Sequence, residues 1–296
     1  METLTNCPVC NSSSFTLYVE CTDYTVSKDK FKIVQCTCGF RFTNPRPEEA
    51  EVGKYYQSED YISHSNTKKG LVNSLYQVAR KFTLKRKLKL VAKVSGKQNG
   101  DLLDLGCGTG EFLNTCKENG WNVQGIEPSP DARAFASKQY GLTVHEVNKW
   151  DQFSDKLFDV VSAWHVLEHV YQLEETAKQV KRILKPDGTF IVALPNCSSA
   201  DADFYKQFWA AYDVPRHIWH FTPADVKSFF EKQGFLLKEV LPMSLDAYYI
   251  CMLSEKYKGG NINYGRAAIH GWTSNSQAAK TGTTFSSQIY ILKPVA

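Results

Sequence analysis

A short apolar run followed at once by three closely spaced glycines is the feature that most constrains the fold. The segment 102–110 reads LLDLGCGTG, and a helix-like stretch begins at Glu111. Glycine adopts the positive φ of a tight turn without strain and lets the backbone approach a ligand closely. A buried strand, a glycine turn and a helix in this order are typical of α/β folds whose ligand lies beyond the strand ends.

Strand-like and helix-like segments alternate along the rest of the chain. The expected strands are 102–105, 122–126, 142–147, 158–163, 189–194, 235–241 and 287–292. This alternation predicts an α/β fold with a Rossmann-like, seven-stranded, mostly parallel sheet and helices on both faces. We expect 244–257 to form a helix over the ligand crevice and 258–284, rich in Gly, Asn and Ser, to form a loop.

Cysteines are concentrated at the N-terminus. Five of the nine lie before residue 40, and Cys7 with Cys10 and Cys36 with Cys38 form two close pairs. An odd number of cysteines arranged in this way favours metal ligation in a reducing compartment over a disulfide framework. We therefore predict that Cys7, Cys10, Cys36 and Cys38 bind a structural Zn²⁺ in a small N-terminal zinc ribbon.

These features predict three parts: a zinc-binding module at 1–47, a helical linker or cover at 48–99, and the main α/β domain at 100–296. The N-terminus lacks an apolar signal segment, and no run approaches the roughly 20 apolar residues of a membrane span. A cytoplasmic location without membrane contact is therefore expected. The basic stretch 80–97 carries apolar residues at helical spacing, and we expect it to present a solvated helix face or to attract an anionic substrate.

The spacing within the glycine turn favours a positively charged ligand. Nicotinamide- and flavin-binding folds usually read GxGxxG, whereas Gly106, Gly108 and Gly110 give GxGxG. Asp104 would repel a pyrophosphate in this turn but suits an ammonium or a sulfonium. Glu127, at the end of the next strand, can accept hydrogen bonds from both hydroxyls of an adenosine ribose.

Four blocks of residues together resemble class I S-adenosylmethionine-dependent methyltransferases over most of 101–241. The blocks are DLGCGTG at 104–110, GIEPS at 125–129, FDVVSAWHVLEHV at 158–170 and LKPDGTF at 184–190. The resemblance implies that Asp104, Gly106 and Gly108 face the methionine part of the cofactor, and that Glu127 binds its ribose. The residues expected to bind the cofactor are Asp104, Gly106, Cys107, Gly108, Gly110, Glu127, Pro128, Trp164 and His165.

Two groups of histidines are candidates for the catalytic base. Methyl transfer from a sulfonium is an in-line displacement, and a neutral hydroxyl or acidic carbon must also lose a proton. His165 and His169 are four residues apart and would share a face if helical, with His169 expected to be structural. The segment PRHIWHFT at 215–222 contributes His217 and His220, and it resembles a segment that lies over the substrate pocket of small-molecule methyltransferases.

The expected bases are therefore His217, His165 and His220. The alternative role for His217 is to cap the helix that begins at Thr222. Zinc bound by the histidines is disfavoured, because Glu168 is expected to point elsewhere.

The N-terminal cysteines resemble the zinc-binding segment that precedes many bacterial small-molecule methyltransferases. In that segment the second pair usually has two residues between its cysteines, and here there is one. Cys21 is therefore an alternative to Cys36 as a ligand.

The resulting hypothesis is methyl transfer from S-adenosylmethionine to an oxygen or carbon of a small metabolite, such as a sugar, a quinone-like compound or a natural product. One alternative is an NAD-dependent oxidoreductase, which the glycine spacing and Asp104 disfavour. Another is a non-enzymatic nucleic-acid-binding protein that uses the zinc ribbon, which a net charge of only +4 disfavours. We expect a small-molecule acceptor, no nucleic acid, and a monomer or homodimer.

Overall fold

The computed structural model describes residues 1–57 and 71–295. Within these residues the chain forms one seven-stranded sheet and one four-stranded sheet. The strands are β1 Phe15–Thr22, β2 Lys30–Cys36, β3 Arg41–Thr43, β4 Asp101–Leu105, β5 Asn122–Ile126, β6 Thr143–His145, β7 Phe158–Trp164, β8 Leu184–Pro195, β9 Trp219–His220, β10 Phe235–Pro242 and β11 Ser287–Pro294.

The large sheet has the strand order β10-β11-β8-β7-β4-β5-β6. Strands β4 to β8 pair in parallel, and β11 is antiparallel to both of its neighbours. The predicted α/β fold with a seven-stranded, mostly parallel sheet is confirmed. The chain leaves β4 toward β5 and β6, and then returns to β7 on the other side of β4. The strand order therefore reverses between β4 and β7, and sheets of this kind bind ligands in the crevice at the carboxyl ends of such a strand pair.

Helices cover both faces of this sheet. They are α1 Leu71–Ser95, α2 Glu111–Glu118, α3 Pro130–Tyr140, α4 Leu173–Ile183, α5 Ala200–Tyr205, α6 Pro223–Lys232, α7 Ser244–Gly259 and α8 Tyr264–Thr281. Alternate side chains of a strand point to opposite faces, so Leu102 of β4 packs with α1 and α2, whereas Leu103 packs with α4 and α6. In the part of the chain that the structure describes, no helix is both long and apolar enough to cross a membrane.

The prediction of a loop at 258–284 is wrong, because α8 occupies most of that range. Small side chains recur on its buried face at helical spacing, including Ala267, Ser274 and Ala278. Gly271 lies on the same face, and a Cβ there would meet Tyr248 of α7 at 2.8 Å. A high content of small residues reflects close packing of α8 on α7 and not a turn-rich loop.

The four-stranded sheet joins the N-terminal segment to the main domain. Its order is β1-β2-β3-β9, and β9 lies far along the chain from the other three strands. Phe42 of β3 pairs with Trp219 of β9, and Phe40 contacts the rings of Trp219 and Phe221. The boundaries 1–47, 48–99 and 100–296 remain a prediction, and 58–70 of the linker lies outside the described residues. Aromatic packing across β3 and β9 gives the short N-terminal segment a core that it shares with the main domain.

Arg216 makes a second connection between these parts. Its guanidinium is fully buried and donates to carboxylate oxygens of Asp23 and Asp213, to the carbonyl of Tyr55 and to the hydroxyl of Thr25. Asp23 lies in the turn between β1 and β2, and Tyr55 in the 3₁₀ helix Glu49–Tyr56. One buried cation therefore ties three segments of the chain together.

Candidate cofactor and acceptor site

The glycine turn after β4 has the backbone conformation that its sequence predicts. Gly106, Gly108 and Gly110 have φ values of +62°, +54° and +83°, which residues that carry a Cβ rarely adopt. A Cβ on Gly110 would lie 2.6 Å from Leu142, and one on Gly106 would lie 2.6 Å from Val166. A Cβ placed on Gly108 would have no neighbouring atom within 4 Å. The backbone at Gly108 therefore borders open space into which a ligand can fit.

Glu127 connects the glycine turn to the turn after β5. One carboxylate oxygen accepts the backbone N–H of Gly108 at 2.9 Å, and the other accepts that of Ser129 at 2.9 Å. Ser129 in turn caps α3 by accepting a hydrogen bond from the backbone N–H of Ala132. These bonds hold the carboxylate beside Gly108, and each oxygen keeps a lone pair for a hydroxyl.

Asp104 is buried beneath the same turn. Its carboxylate accepts a hydrogen bond from the Ser162 hydroxyl at 2.6 Å. Burial raises the pKa of Asp104 to about 7, although this hydrogen bond and the charge of Lys87 oppose the shift. A buried carboxylate of this kind has a strong preference for a nearby cation.

Trp164 is the last residue of β7, at the edge of the sheet where the cofactor is expected. Its ring contacts Phe112 of α2 edge to face, and the Lys87 ammonium lies 4.2 Å from its centroid. Burial lowers the pKa of Lys87, and the charges of Asp104 and Asp246 oppose this. The Lys87 ammonium therefore lies over the face of the Trp164 ring, where the π-electrons stabilise positive charge.

The other two predicted cofactor residues lie at the border of the turn. Cys107 is buried, and its Sγ would be 2.5 Å from a Cβ on Gly125, so its thiol packs against β5. Burial raises the pKa of the Cys107 thiol. Pro128 is exposed, and its carbonyl accepts a hydrogen bond from Arg133.

His165 follows β7 directly and has a φ of +57°, so His165 and His169 do not share a helical face. Its Nδ1 lies 3.4 Å from Glu168 Oε1 and its Nε2 lies 3.2 Å from Asp246 Oδ2. Burial alone would lower the pKa of His165, but its hydrogen bond with Asp246 and the negative charges of both carboxylates raise it to about 9. The ring is therefore an imidazolium at neutral pH and has no lone pair with which to accept a proton.

His217 lies against His169, with the two ring centroids 4.6 Å apart. Its Nδ1 lies 2.8 Å from the Ala211 carbonyl oxygen, which can only accept. Nδ1 therefore carries the proton, and Nε2, which lies 4.0 Å from Asp213 Oδ2, is the nitrogen left for other chemistry. His217 does not cap α6, because the Thr222 hydroxyl and the Asp225 carboxylate form a capping box there.

His220 lies in β9 and contacts the N-terminal segment. Its Nε2 is 3.0 Å from the Thr43 hydroxyl, which donates to the carbonyl of His217. Burial lowers the pKa of His220 well below its usual value. The contacts of His220 therefore connect β9 to β3, and its role as a base remains a prediction.

Glu168 points toward the histidines, so the expectation that it points elsewhere is wrong. One ligand atom each from Glu168, His169 and His217 lie within 4.8 Å of one another. The reason lies in the chain path, because Leu167–His169 is a short 3₁₀ helix and not the α-helix assumed for the pattern.

The four N-terminal cysteines predicted as ligands come together. Cys7 Sγ lies 3.8 Å from Cys38 Sγ, and Cys10 Sγ lies 3.5 Å from Cys36 Sγ. Cys21 is buried in a different cluster, so the alternative in which it replaces Cys36 is wrong. Four thiolates at about 2.3 Å from one ion are separated by just under 4 Å, so this donor set fits a tetrahedral Zn²⁺.

Three site residues were not identified from the sequence. Lys87 lies in the basic stretch for which the sequence predicts a solvated helix face or attraction of an anionic substrate. Asp246 comes from α7, whose residues the motifs do not include. Ser162 stands beside Asp104 in the sheet register, and parallel pairing of the two strands could have identified it.

Comparisons with known proteins agree with this geometry. A family described as a methyltransferase domain matches residues 76–240. Demethylmenaquinone methyltransferase of Chlorobaculum parvum is 27% identical over 176 residues, which is 52% of this chain and 73% of that protein. Sterol 4-C-methyltransferase strm-1 of Caenorhabditis elegans is 26% identical over 112 residues, which is 35% of this chain and only 33% of that protein.

A solved structure shows the same fold. Phosphoethanolamine N-methyltransferase 2 of Haemonchus contortus, in complex with S-adenosyl-L-methionine, superposes with a TM-score of 0.53 at 14% identity. The similarity covers 96% of this chain and 69% of that chain.

Proposed function

Because the chain belongs to the methyltransferase domain family, which matches residues 76–240, we propose that this S-adenosylmethionine-dependent enzyme methylates an oxygen or carbon atom of a small metabolite. The observation that carries the proposal is the carboxylate-flanked glycine turn at the carboxyl ends of β4 and β5. Its open backbone at Gly108 lies beside Glu127, and the buried Asp104 lies beneath it.

These residues fit S-adenosylmethionine, which when bound supplies a methyl group on a positively charged sulfur. Glu127 would accept hydrogen bonds from the ribose hydroxyls, and Asp104 would attract the positive charge of the methionine part. Gly106 and Gly110 would keep the turn in the conformation that leaves room for the ligand. The buried Cys107 would border the turn on its side toward the sheet, and the exposed Pro128 would border it on its solvent side.

His217 is the proposed group through which the acceptor loses its proton. Of the three histidines predicted as bases, His165 is an imidazolium held by two carboxylates, and His220 is bonded to Thr43. His217 alone keeps a ring nitrogen that faces the cluster with Glu168. We propose that His165 and Trp164 form the wall beside the reacting methyl group.

The acceptor class is proposed from the chemistry of the site and the names of the relatives. A histidine with an unprotonated ring nitrogen suits a hydroxyl or an acidic carbon, both of which must lose a proton. The relatives named above act on a quinone precursor and a sterol, according to their names, and so support a small organic acceptor. A cytoplasmic location, the absence of nucleic acid and membrane partners, and a monomer or homodimer remain predictions.

The four cysteines Cys7, Cys10, Cys36 and Cys38 are proposed to hold a structural Zn²⁺. Four protein thiolates leave no open coordination position, so this ion would stabilise the N-terminal segment and take no part in methyl transfer.

The test is methyl transfer from isotopically labelled S-adenosylmethionine to a panel of sugars, quinols and phenolic natural products, with the products identified by mass spectrometry. We expect one acceptor class to be labelled with equimolar release of S-adenosylhomocysteine. In that reaction His217→Gln should lower kcat about 100- to 10,000-fold, because positioned proton transfer contributes that much. His270→Gln, which alters a ring stacked on Phe204, is the matched control and should keep kcat. Equal loss in both variants, or full activity of His217→Gln, would contradict the proposed role.

A further inference from the structure

Glu168 is a buried carboxylate without a matching donor. Its side chain is 1% exposed, and neither oxygen receives a well-formed hydrogen bond from any described residue. The nearest positive group is His165, whose Nδ1 is 3.4 Å away. His165 approaches only Oε1, and a buried carboxylate whose other oxygen has no donor usually pairs with a further cation or binds a metal.

The two histidines that face Glu168 are oriented as metal ligands are. His169 Nδ1 lies 3.0 Å from the carbonyl oxygen of Arg216, and His217 Nδ1 lies 2.8 Å from that of Ala211. A carbonyl oxygen only accepts, so each Nδ1 carries the proton and each Nε2 keeps its lone pair. The Tyr56 hydroxyl also lies 3.0 Å from His169 Nδ1 and shares that N–H as a second acceptor. Metal-binding histidines characteristically donate their second ring N–H to a carbonyl or carboxylate, which fixes the ring orientation.

One carboxylate oxygen of Glu168 and one ring nitrogen each of His169 and His217 lie near one another. The ligand atoms lie within 4.8 Å of one another. Distances of about 2.0–2.2 Å from a shared ion would separate them by about 3–4 Å, so a small inward rotation suffices. His165 contacts only the Oε1 side of Glu168, so without a further cation the nitrogen lone pairs and the carboxylate would face one another at a loss of free energy.

We propose that Glu168, His169 and His217 form a second metal site, which binds a divalent first-row transition metal ion such as Zn²⁺. Two imidazoles and one carboxylate are a common ligand set for such ions, and three protein ligands leave coordination positions open. This site differs from the four-cysteine cluster, which would have no open position. The segment that carries His217 is also the one predicted to lie over the acceptor.

If the proposed function holds, the ion would act on the acceptor. A hydroxyl bound to it would release its proton to solvent more readily, because the cation lowers the pKa of the hydroxyl. The oxygen would then bond to the methyl carbon while the carbon–sulfur bond breaks and sulfur keeps its electron pair. With the ion bound, His217 would act on the acceptor's proton through the metal, and in the metal-free protein its ring nitrogen would take the proton directly.

The experiment measures metal content and ligand type in the full chain purified from cobalt-supplemented culture. We expect about two Co²⁺ per chain, one with intense sulfur-to-cobalt charge-transfer bands and one with only weak ligand-field bands typical of nitrogen and oxygen ligands. Glu168→Gln, His169→Gln and His217→Gln should each lose about one Co²⁺ and only the weak bands. His270→Gln is the control and should keep both ions.

Each variant is checked for folding by circular dichroism and by calorimetric binding of S-adenosylhomocysteine. If one of the three misfolds, the other two still decide the question. Wild-type protein with only the sulfur-ligated ion, or a folded His217→Gln protein that keeps both ions, would overturn the proposal. The ion count does not depend on methyl transfer, so an inactive protein with two ions would refute the proposed function and leave the metal site standing.

Discussion

Replacing Arg216 by methionine should destabilise the protein strongly, because its guanidinium is the buried cation between the N-terminal segment and the main domain. Methionine keeps much of the volume but removes five hydrogen bonds, including those to Asp23 and Asp213. Removing one partner of a buried ion pair typically costs about 3–5 kcal/mol.

The structure favours the lower end of that range. Asp23 keeps hydrogen bonds from three backbone N–H groups and from the Ser27 hydroxyl, so its charge remains partly compensated. Asp213 is 25% exposed and can recruit water. We therefore expect a loss of about 3 kcal/mol, which for a chain of this size lowers Tm by about 6–12 °C.

The assay is differential scanning calorimetry of matched variants. Arg266→Ala is the control, because Arg266 is 52% exposed and lies 3.8 Å from Glu255, and its loss should cost less than about 1 kcal/mol. Adding Asp23→Asn to Arg216→Met should recover part of the loss, because it removes the uncompensated charge. A Tm for Arg216→Met within about 2 °C of the wild type would refute the reasoning.

Two further predictions concern the cofactor turn and the cysteine cluster. Affinity for S-adenosylhomocysteine, which keeps the ammonium of the cofactor, should fall by up to about tenfold per pH unit as the pH drops below about 7, because protonation of Asp104 removes the charge that attracts the ligand. Calorimetry from pH 5.5 to 8.5 would measure this, and an Asp104→Asn protein with the same pH profile would contradict it. Cys10→Ser should lose about one Zn²⁺ per chain by elemental analysis and unfold at a lower temperature, because one of the four thiolates of the cluster is gone. Unchanged zinc content in that variant would show that the cluster is not the site.

The fold and the cofactor turn could be predicted from the sequence because local signals specify them. The glycines at 106, 108 and 110 and the alternation of strands and helices depend on backbone conformation and periodicity, which neighbouring residues encode. The convergence of the four cysteines was likewise visible from their spacing, although the choice between Cys21 and Cys36 required the register of β1 and β2.

Contacts between distant segments could not be predicted in the same way. Lys87 and Asp246 reach the crevice from α1 and α7, and no local pattern distinguishes them from solvated residues. Glu168 points toward the histidines because Leu167–His169 forms a 3₁₀ helix. The i, i+4 spacing of His165 and His169 instead suggests an α-helix, in which Glu168 would point elsewhere. The many small residues of α8 suggest a loop by composition alone. Their spacing of three and four residues, however, is typical of a helix face that packs closely on its neighbour.

Calorimetric titration of the folded, metal-replete protein with S-adenosylhomocysteine tests the central claim most directly. We expect saturable binding at one site, no binding of NAD, and binding to Glu127→Gln that is weaker by about 10- to 150-fold, since a hydrogen bond to a charged group contributes about 1.5–3 kcal/mol. Absence of binding by S-adenosylhomocysteine and S-adenosylmethionine, with saturable binding of NAD, would contradict the account.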